Sequence, residues 1–536
     1  MFRILIFLKT QDVGVEHDSA WYLGVAKNIS KYGLYASNTN TSILSTTVSP
    51  SIHNRYSVQD KVGRSYFPGG VTVGLGYMLP QAIIMKFFGF GFWQYRAIPL
   101  LGFLLMLILL LHLAYTFGGY FSLALFTIIL WFRPDIYINY SFEGFSEQLA
   151  LAYILISITL LQYFFTKSLT KNKILLSGLV FGMAIATKYL SAMYLPCIFI
   201  FFWPRNEFKI SKLLNSFRLY FSFILGALFP IVLFFLYQYV FMNLLFGKLE
   251  YMAIIKDFTM HWQTGGGGFG RLDLGYILTK SQVLENLGNV HYLFYFIILV
   301  LTPIFLFKKS EINAKKIYLL GFYLMFLVNY IWFSFLAWSG WLRHTWVGLI
   351  LLVLLMTIIF SHVLMESIQR SMWSIYMTII GIIILSIIFN ESANISPVIN
   401  KSYVNYLWSK NIIGLTPNTL QGFVFSPIFS WKDLQEVVKI LNGNKVGSKR
   451  LYYAGTFLVT EVATETMRPI FPIARILDFK EDGLLIIGPY QKGDLSLVNP
   501  EYESLVEKNF KAKKIYQNNS YSLYEISYKN LLKLKK

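Results

Sequence analysis

Apolar blocks, each close to the length of a membrane-spanning helix, recur along the chain up to residue 389. A helix needs about 20 mostly apolar residues to cross a bilayer whose hydrocarbon core is about 30 Å thick. The blocks that meet or approach this length are 97–117, 217–246, 317–337, 345–364 and 372–389. Water-soluble domains do not carry so many separate blocks of this kind. The sequence therefore predicts an α-helical polytopic membrane protein with about 11–13 transmembrane helices.

Excess positive charge lies between these blocks. The chain has 47 Lys and Arg against 27 Asp and Glu, a formal net charge of +20. The basic segments are 167–173, 205–212, 308–316 and 366–370. Such segments are typical of cytoplasmic loops, so the loops 247–290 and 338–344 and everything after residue 389 are expected outside. Basic loops also face anionic lipid head groups, so membrane lipid is an expected partner and nucleic acid is not.

Soluble patterning begins near residue 396. Segment 431–441 has apolar residues at helical spacing after Ser430, a favourable N-cap. The segments that read as strands are 450–453, 483–487 and 520–526. These features predict a small extracytoplasmic α/β domain over 396–536, for which a cap or an acceptor-docking role is favoured because no catalytic motif is recognised in it. With Cys197 as the sole cysteine, the domain folds without a disulfide.

The rest of the chain, 1–395, is predicted to be the transmembrane domain, with outer loops at 11–68 and 247–290 and with further helices over 120–132 and 147–165. Segment 69–89 does not fit as a simple crossing, because the loops on both sides of it are expected outside. We interpret it as a juxtamembrane or re-entrant helix, which a membrane tolerates when protein covers its backbone.

Acidic side chains beside the first outer helix are candidates for chemistry. Glu16, His17 and Asp18 precede 20–32, which has Trp21, Val25 and Ile29 on one stripe and Lys27 on another face. This segment is predicted to be an amphipathic helix at the membrane interface. A carboxylate at the start of a helix is stabilised by the helix dipole. The alternative is that Asp18 is a plain N-cap.

A second acidic pair, Glu143 and Glu147, stands at i and i+4 and would share a helix face. Since the adjoining sequence carries no Lys or Arg, the pair suggests a bound cation or a raised pKa. The alternative is a pair of first-turn acids stabilised by the helix dipole.

Basic residues at outer helix ends could neutralise a phosphate. Arg343, followed by His344, and Lys188 are such candidates, and the alternative for both basic residues is snorkelling to lipid head groups. Arg271 ends a glycine-rich stretch, 265–271. We interpret this stretch as a flexible flap that covers a site, and the alternative is a simple linker. The scattered histidines make a zinc site unexpected.

Several motifs in a fixed order carry a family resemblance. The stretch 18–28, ending in 33–35, resembles the first outer-loop motif of the C-type (GT-C) integral membrane glycosyltransferases, in the bacterial branch related to protein O-mannosyltransferases and aminoarabinose transferase. The stretches that resemble later motifs of the family are 66–70, 79–80, 88–89 with Arg96, 146–147, 177–184 with 187–188, and 343–344. The similarity covers about residues 1–390.

The resemblance implies a GT-C-like fold and inverting transfer of a hexose or pentose from a polyprenyl-phosphate donor. The acceptor would be a glycan, lipid or protein at the outer face of a bacterial inner membrane. It also implies that Asp18 is the catalytic base or an acceptor-orienting group, and that Glu147 helps to bind the acceptor or a cation. From the residues themselves, substrate binding is expected of Glu16, His17, Glu143, Lys188, Arg271, Arg343 and His344. No cofactor is certain; a divalent cation, held by Asp18 and Glu147, is an open expectation.

Rival interpretations come from two other protein classes, beside the possibility of a degenerate, non-catalytic family member that binds a lipid-linked glycan. An O-antigen polymerase or ligase is also a glycan enzyme, but its large outer loop is expected late in the chain. A transporter of lipid-linked glycans is no enzyme, and repeated halves with broken midplane helices are its usual pattern. A soluble last domain fits neither class well.

Overall fold

The computed structural model describes residues 17–39, 58–67, 70, 73–132, 141, 144–167, 170–203, 210–246, 299–300, 302–304, 314–336, 344–368, 430–443, 446–454, 460–473, 476–488, 507–508 and 510–529. The predicted outer loop 247–290, the apolar block 372–389 and most of the loop 338–344 lie outside these residues.

The membrane part is helical. In chain order its helices are α1 (His17–Tyr32), α2 (Leu75–Phe88), α3 (Phe92–Phe132), α4 (Glu147–Lys167), α5 (Lys171–Thr187), α6 (Leu195–Ile198), α7 (Ile210–Phe246), α8 (Ala314–Ile331) and α9 (Trp346–Ile368). Short 3-10 segments, Tyr189–Tyr194 and Phe199–Phe202, flank α6, and a π-helical turn, Trp332–Leu336, follows α8.

Five helices among the described residues are long and apolar enough to cross a membrane. They are Phe92–Leu130, Glu147–Thr166, Ile210–Leu245, Lys315–Leu336 and Trp346–Met365. Each matches an apolar block or helix predicted from the sequence. The chain is therefore a multi-pass membrane protein.

Helix α3 is two helical segments joined by a kink. Gly119 has φ 71° and ψ −166°, values that interrupt a helix and that glycine adopts without steric cost. Helix α9 braces the kink, because Ser361 Oγ donates to the carbonyl of Gly118 over 2.6 Å. The kink confirms the break that the sequence predicts between 97–117 and 120–132.

Close backbone contact joins α5 to α7. A Cβ added at Gly178 or Gly182 would clash with the backbone carbonyl of Phe223 or Ala227, and one at Gly226 with that of Leu175. Small residues four positions apart let membrane helices approach in this way. The spacing of Gly178 and Gly182 therefore sets the distance between α5 and α7.

Helix α2 is 14 residues long, too short to span a bilayer. Gly74, just before it, packs on the backbone of Ala186 at the end of α5. The aromatic residues Phe87 and Phe88, at the end of α2, and Trp93, at the start of α3, are exposed. Trp side chains, such as that of Trp93, favour the membrane–water boundary. These features agree with a juxtamembrane helix.

The last part of the chain contains a sheet flanked by helices. Its elements are α10 (Trp431–Leu441), α11 (Thr460–Thr466), α12 (Ile476–Phe479), β3 (Arg450–Ala454), β4 (Ile470–Pro472), β5 (Gly483–Ile487), β6 (Lys513–Gln517) and β7 (Ser522–Ile526); β1 (Val58–Gln59) and β2 (Ser65–Tyr66) form a separate hairpin. The sheet order is β4-β3-β5-β7-β6, with β4, β3 and β5 parallel and β7 and β6 antiparallel to their neighbours.

The predicted N-cap and strands are confirmed in this part. Ser430 Oγ accepts a hydrogen bond from the amide of Asp433 over 3.1 Å, which satisfies a backbone donor in the first turn of α10. Buried Leu434, Val437 and Leu441 pack from α10 onto the sheet. The fold is thus a helical membrane bundle with a small C-terminal α/β unit, as the sequence predicts.

Candidate functional site

The helix that carries Asp18 is buried around its whole circumference over residues 19–28. Helix α1 begins at His17, so Asp18 lies in its first turn and not before it as a cap. Residues 19–28 are buried or nearly so, including Lys27, which sequence patterning places on an outward face. The prediction of a helix is confirmed, but its amphipathic character is wrong, because other parts of the chain cover its polar face.

Aromatic contacts hold α1 in place. Trp21 Nε1 donates to Ser37 Oγ over 3.0 Å, and its ring meets that of Phe67 edge-on at 5.4 Å between centroids. Tyr22 meets Tyr77 of α2 in the same manner at 6.5 Å. Such pairs favour one orientation of the rings. The rotation of α1, and with it the backbone of Asp18, is therefore fixed by its neighbours.

The second acidic motif packs directly against the first. A Cβ added at Gly144 would lie 2.9 Å from Cβ of Ser19, tighter than a normal contact. Ser19 follows Asp18 in the chain, and Gly144 stands three positions before Glu147. The starts of α1 and α4 therefore meet, and the fold brings the two acidic segments together.

Glu147 forms a buried ion pair with Lys188. Lys188 Nζ lies 2.8 Å from Glu147 Oε1, and the two side chains are 12% and 4% exposed. The other carboxylate oxygen, Oε2, accepts the amide hydrogen of Ser146 over 3.0 Å. Glu147 begins α4 and Lys188 directly follows α5, so the pair joins neighbouring ends of a helical hairpin.

The local sequence suggests that Glu147 has no basic neighbour. In the folded chain this inference is wrong. Lys188 stands 41 positions further along the chain and supplies the positive charge. Both carboxylate oxygens of Glu147 therefore have partners among the described residues. No group of three or more His, Cys, Asp or Glu that could hold a metal ion occurs among the described residues.

Two buried hydroxyls that sequence reasoning missed adjoin the acidic residues. Ser19 Oγ and Ser146 Oγ are buried and have no hydrogen-bond partner among the residues that the structure describes. Buried polar atoms normally have one. Their position beside Asp18 and Glu147 in the sequence is the signal that could have identified them.

His344 belongs to a polar network inside the bundle. Its ring lies 5.7 Å from that of Trp332, and its carbonyl accepts from Asn329 Nδ2 over 3.1 Å. The same amide nitrogen donates to Tyr194 Oη over 3.0 Å. The described contacts of His344 are thus with Asn329 of α8 and with the π-helical turn that follows this helix. The predicted site residues Glu16, Glu143, Arg271 and Arg343 lie outside the described part of the chain, as do the side chains of His17 and Asp18.

A hairpin in the first loop is held by one carboxylate. Asp60 Oδ1 accepts the amide hydrogens of Val62, Gly63 and Arg64, and Oδ2 accepts from Arg64 Nε over 2.7 Å. Burial alone would raise the pKa of the Asp60 carboxyl, but hydrogen bonds and charge from Arg64 outweigh it and hold the pKa below its ordinary value. Gly63, at φ +101°, packs against Phe471 of β4.

Comparisons with known proteins support the fold. No protein-family model and no curated protein matches the sequence. Two solved structures match over almost their whole length. ArnT from Cupriavidus metallidurans in the apo state matches with a TM-score of 0.54 at 10% identity, and the match covers 99% of this chain and 97% of that one. The same protein bound to undecaprenyl phosphate matches with a TM-score of 0.56 at 9% identity, and the match covers 98% of this chain and 96% of that one. At this identity the likeness concerns the fold.

Proposed function

Because the chain has the fold of the C-type integral membrane glycosyltransferases, we propose that it transfers a sugar from a polyprenyl-phosphate donor to an acceptor on the outer face of the membrane. The observation that carries the proposal is the junction of the two acidic segments, with the buried Glu147–Lys188 pair beside it. A membrane enzyme retains buried charges where they have a function, since each is costly to place there.

The chemistry requires a base at the acceptor. The acceptor oxygen attacks C1 of the sugar and loses its proton to a carboxylate, while the bond from C1 to the phosphate oxygen breaks and its electrons leave with the lipid phosphate. In our proposal Asp18 is this base. Its place in the first turn of a helix buried on all sides, next to the Ser19–Gly144 contact, supports this role.

Lys188 is proposed to stabilise the leaving phosphate. An ammonium has three donors, and one of them bonds Glu147 over 2.8 Å. In the proposal another binds a phosphate oxygen as negative charge develops there. Glu147 keeps the ammonium oriented, and the hydroxyls of Ser19 and Ser146 supply hydrogen bonds to the bound substrates.

A lipid-linked donor also suits the architecture. ArnT, which has this fold, has been solved with undecaprenyl phosphate bound. An isoprenoid tail remains in the bilayer, so a site at the ends of membrane helices is accessible to its phosphate. We propose the outer face because the basic segments 167–173 and 205–212 lie at the other ends of α4, α5 and α7. The C-terminal unit would then be extracytoplasmic.

The test compares membranes that contain or lack the chain. Each is supplied with polyprenyl-phosphate sugars, and surface glycans, lipids and proteins are analysed by mass spectrometry. The expected result is an acceptor heavier by one sugar residue, with release of polyprenyl phosphate, only when the chain is present. Unchanged acceptors would contradict the proposal. Movement of the intact donor across the membrane without release of phosphate would instead indicate a transporter, and addition of a preformed chain would indicate a ligase or polymerase.

A further inference from the structure

A buried polar cluster joins the C-terminal unit to α1. Lys27 Nζ of α1 lies 3.8 Å from Glu465 Oε1 of α11, and the two side chains are 6% and 10% exposed. The hydroxyl of Tyr95, at the start of α3, donates to the same carboxylate oxygen, and Lys27 donates to that hydroxyl over 3.2 Å. Gln435 Nε2 of α10 donates to Glu465 Oε2 over 3.2 Å. Glu465 thus connects α1, α3 and α10.

Helix α11 also contacts α1 nearer to its start. Thr464 Oγ1 donates to the carbonyl of Ala20 over 2.6 Å, two residues after Asp18. Gly24, one turn further on, has no side chain, and an added Cβ would lie 2.5 Å from Thr464 Oγ1. The absence of a side chain at Gly24 is what lets α11 approach α1 so closely. One face of α1, from Ala20 to Lys27, therefore lies against the C-terminal unit.

The segment after α1 is attached to the same unit. The amide of Ile470 donates to the carbonyl of Asn38 over 3.0 Å, and Thr39 forms a parallel bridge with Ile470 at the edge of the sheet. Trp431, the first residue of α10, packs edge-on against the ring of Tyr95 at 5.8 Å. Contacts on both sides of the Glu465 cluster therefore hold the unit in one position.

Charges in the cluster restrict it to one arrangement. Burial lowers the pKa of the Lys27 amine, and the carboxylate of Glu465 offsets part of this effect. A buried charge that loses its partner is strongly unfavourable, so sliding or rotation of α1 against α11 is opposed. Apolar packing alone would resist such a movement less, because it is less directional.

We propose that Glu465 is a positioning residue for the transfer reaction: through Lys27 and Tyr95 it fixes α1, and thereby places Asp18 for proton removal from the acceptor. The inference rests on the proposed function. A misplacement of about 1 Å can lower a catalysed rate about 100-fold, so a clamp on the helix that carries the base acts on the rate of the chemical step. The C-terminal unit is then part of the catalytic apparatus and not only a cover.

The first test removes the ion pair without leaving a buried charge. The double variant Lys27→Met/Glu465→Gln is compared with wild type and with Glu481→Gln, which removes an ion pair to Arg450 elsewhere in the C-terminal unit. We expect kcat of the double variant to fall about 10- to 100-fold, with KM changed less than about threefold. The control should keep wild-type values. A folded double variant with wild-type kcat would overturn the proposal.

The second test replaces the polar clamp by a covalent one. The position of a Cβ at Gly24 is 3.6 Å from Cβ of Thr464, within the range for a disulfide. Gly24→Cys and Thr464→Cys are added to the Lys27→Met/Glu465→Gln variant, with Cys197→Ala so that no other thiol is present. Oxidation should recover at least about tenfold in kcat, and reduction should abolish the recovery.

The outcomes separate this inference from the proposed function. A fully cross-linked protein that stays as slow as the reduced one would overturn the positioning role, because the helix is then held and the rate is still low. Cross-linking is measured by mobility on a gel, so it is independent of activity. Failure of wild-type protein to transfer sugar would instead contradict the proposed function and, with it, this inference.

Discussion

The ammonium of Lys188 lies 2.8 Å from the carboxylate of Glu147, although 41 positions separate the two residues in the chain. The contact joins the end of α5 to the start of α4, where the segment before Glu147 meets the segment after Asp18. The pair therefore combines two requirements of the proposed reaction, an oriented cation for the phosphate and a fixed position for the acidic segments.

The first prediction separates the contribution of the Glu147–Lys188 pair to stability from its contribution to transfer activity. Lys188→Met leaves Glu147 buried without its partner and should lower the free energy of unfolding by about 3–5 kcal/mol. The double variant Glu147→Gln/Lys188→Met should regain most of this stability but not the transfer activity. Thermal unfolding in detergent and a transfer assay measure the two effects. An active double variant would contradict the role of Lys188 at the phosphate.

The second prediction concerns the base. Asp18→Asn should abolish transfer in membranes supplied with lipid-linked sugar, because an amide cannot take the acceptor proton, and the amount of protein should not change. Asp482→Asn, at an exposed carboxylate of the C-terminal unit, is the matched control and should leave activity intact. Normal transfer by Asp18→Asn would remove Asp18 from the mechanism.

A third prediction follows from the contact between α5 and α7. Gly182→Leu should force these helices apart and lower stability by about 1–3 kcal/mol, since a side chain there clashes with the backbone of Ala227. Gly447→Ala is the control, because its added Cβ would lie 3.4 Å from the nearest atom, an ordinary contact. Equal unfolding temperatures of the two variants would show that the close approach is not needed.

The fourth prediction is a pH dependence of the hairpin at Asp60. The folded pKa of Asp60 is lowered, so its stabilising contribution is present above its unfolded pKa of about 3.9 and is lost as pH falls through the folded value. Limited proteolysis of the hairpin, with an acid-tolerant protease, should therefore accelerate at low pH in wild type. The Asp60→Asn variant should be cleaved readily at neutral pH as well as at low pH. A wild-type rate that does not change with pH would contradict this assignment.

Sequence patterns are most informative where a local property decides the structure. Apolar length predicts the membrane helices, and Ser430 marks the start of α10 because a cap acts within one turn. The strands at 450–453 and 483–487 are recognisable because they are apolar and central in the sheet. By contrast, β6 is an edge strand that begins Lys513-Lys514, and β4 ends in Pro472, so neither carries the usual apolar pattern.

The site depends on contacts between distant segments, which no local pattern encodes. The spacing of Glu143 and Glu147 suggests two unpaired acids, whereas the fold gives Glu147 a lysine from another helix. The periodicity of α1 likewise assigns Lys27 to an exposed face, because the sequence around it gives no sign that α11 will cover it. Resemblance to a family provided the motifs, and the packing provided their mutual arrangement.

One consequence of the Ala20–Thr464 bond concerns biosynthesis. The two residues are 444 positions apart, so the ribosome makes α1 long before the segment that clamps it. A nascent or truncated polypeptide would contain α1 without the C-terminal unit that positions it. Under the proposed function, catalytic competence would then be acquired only after the C-terminal unit has been synthesised and has docked on α1.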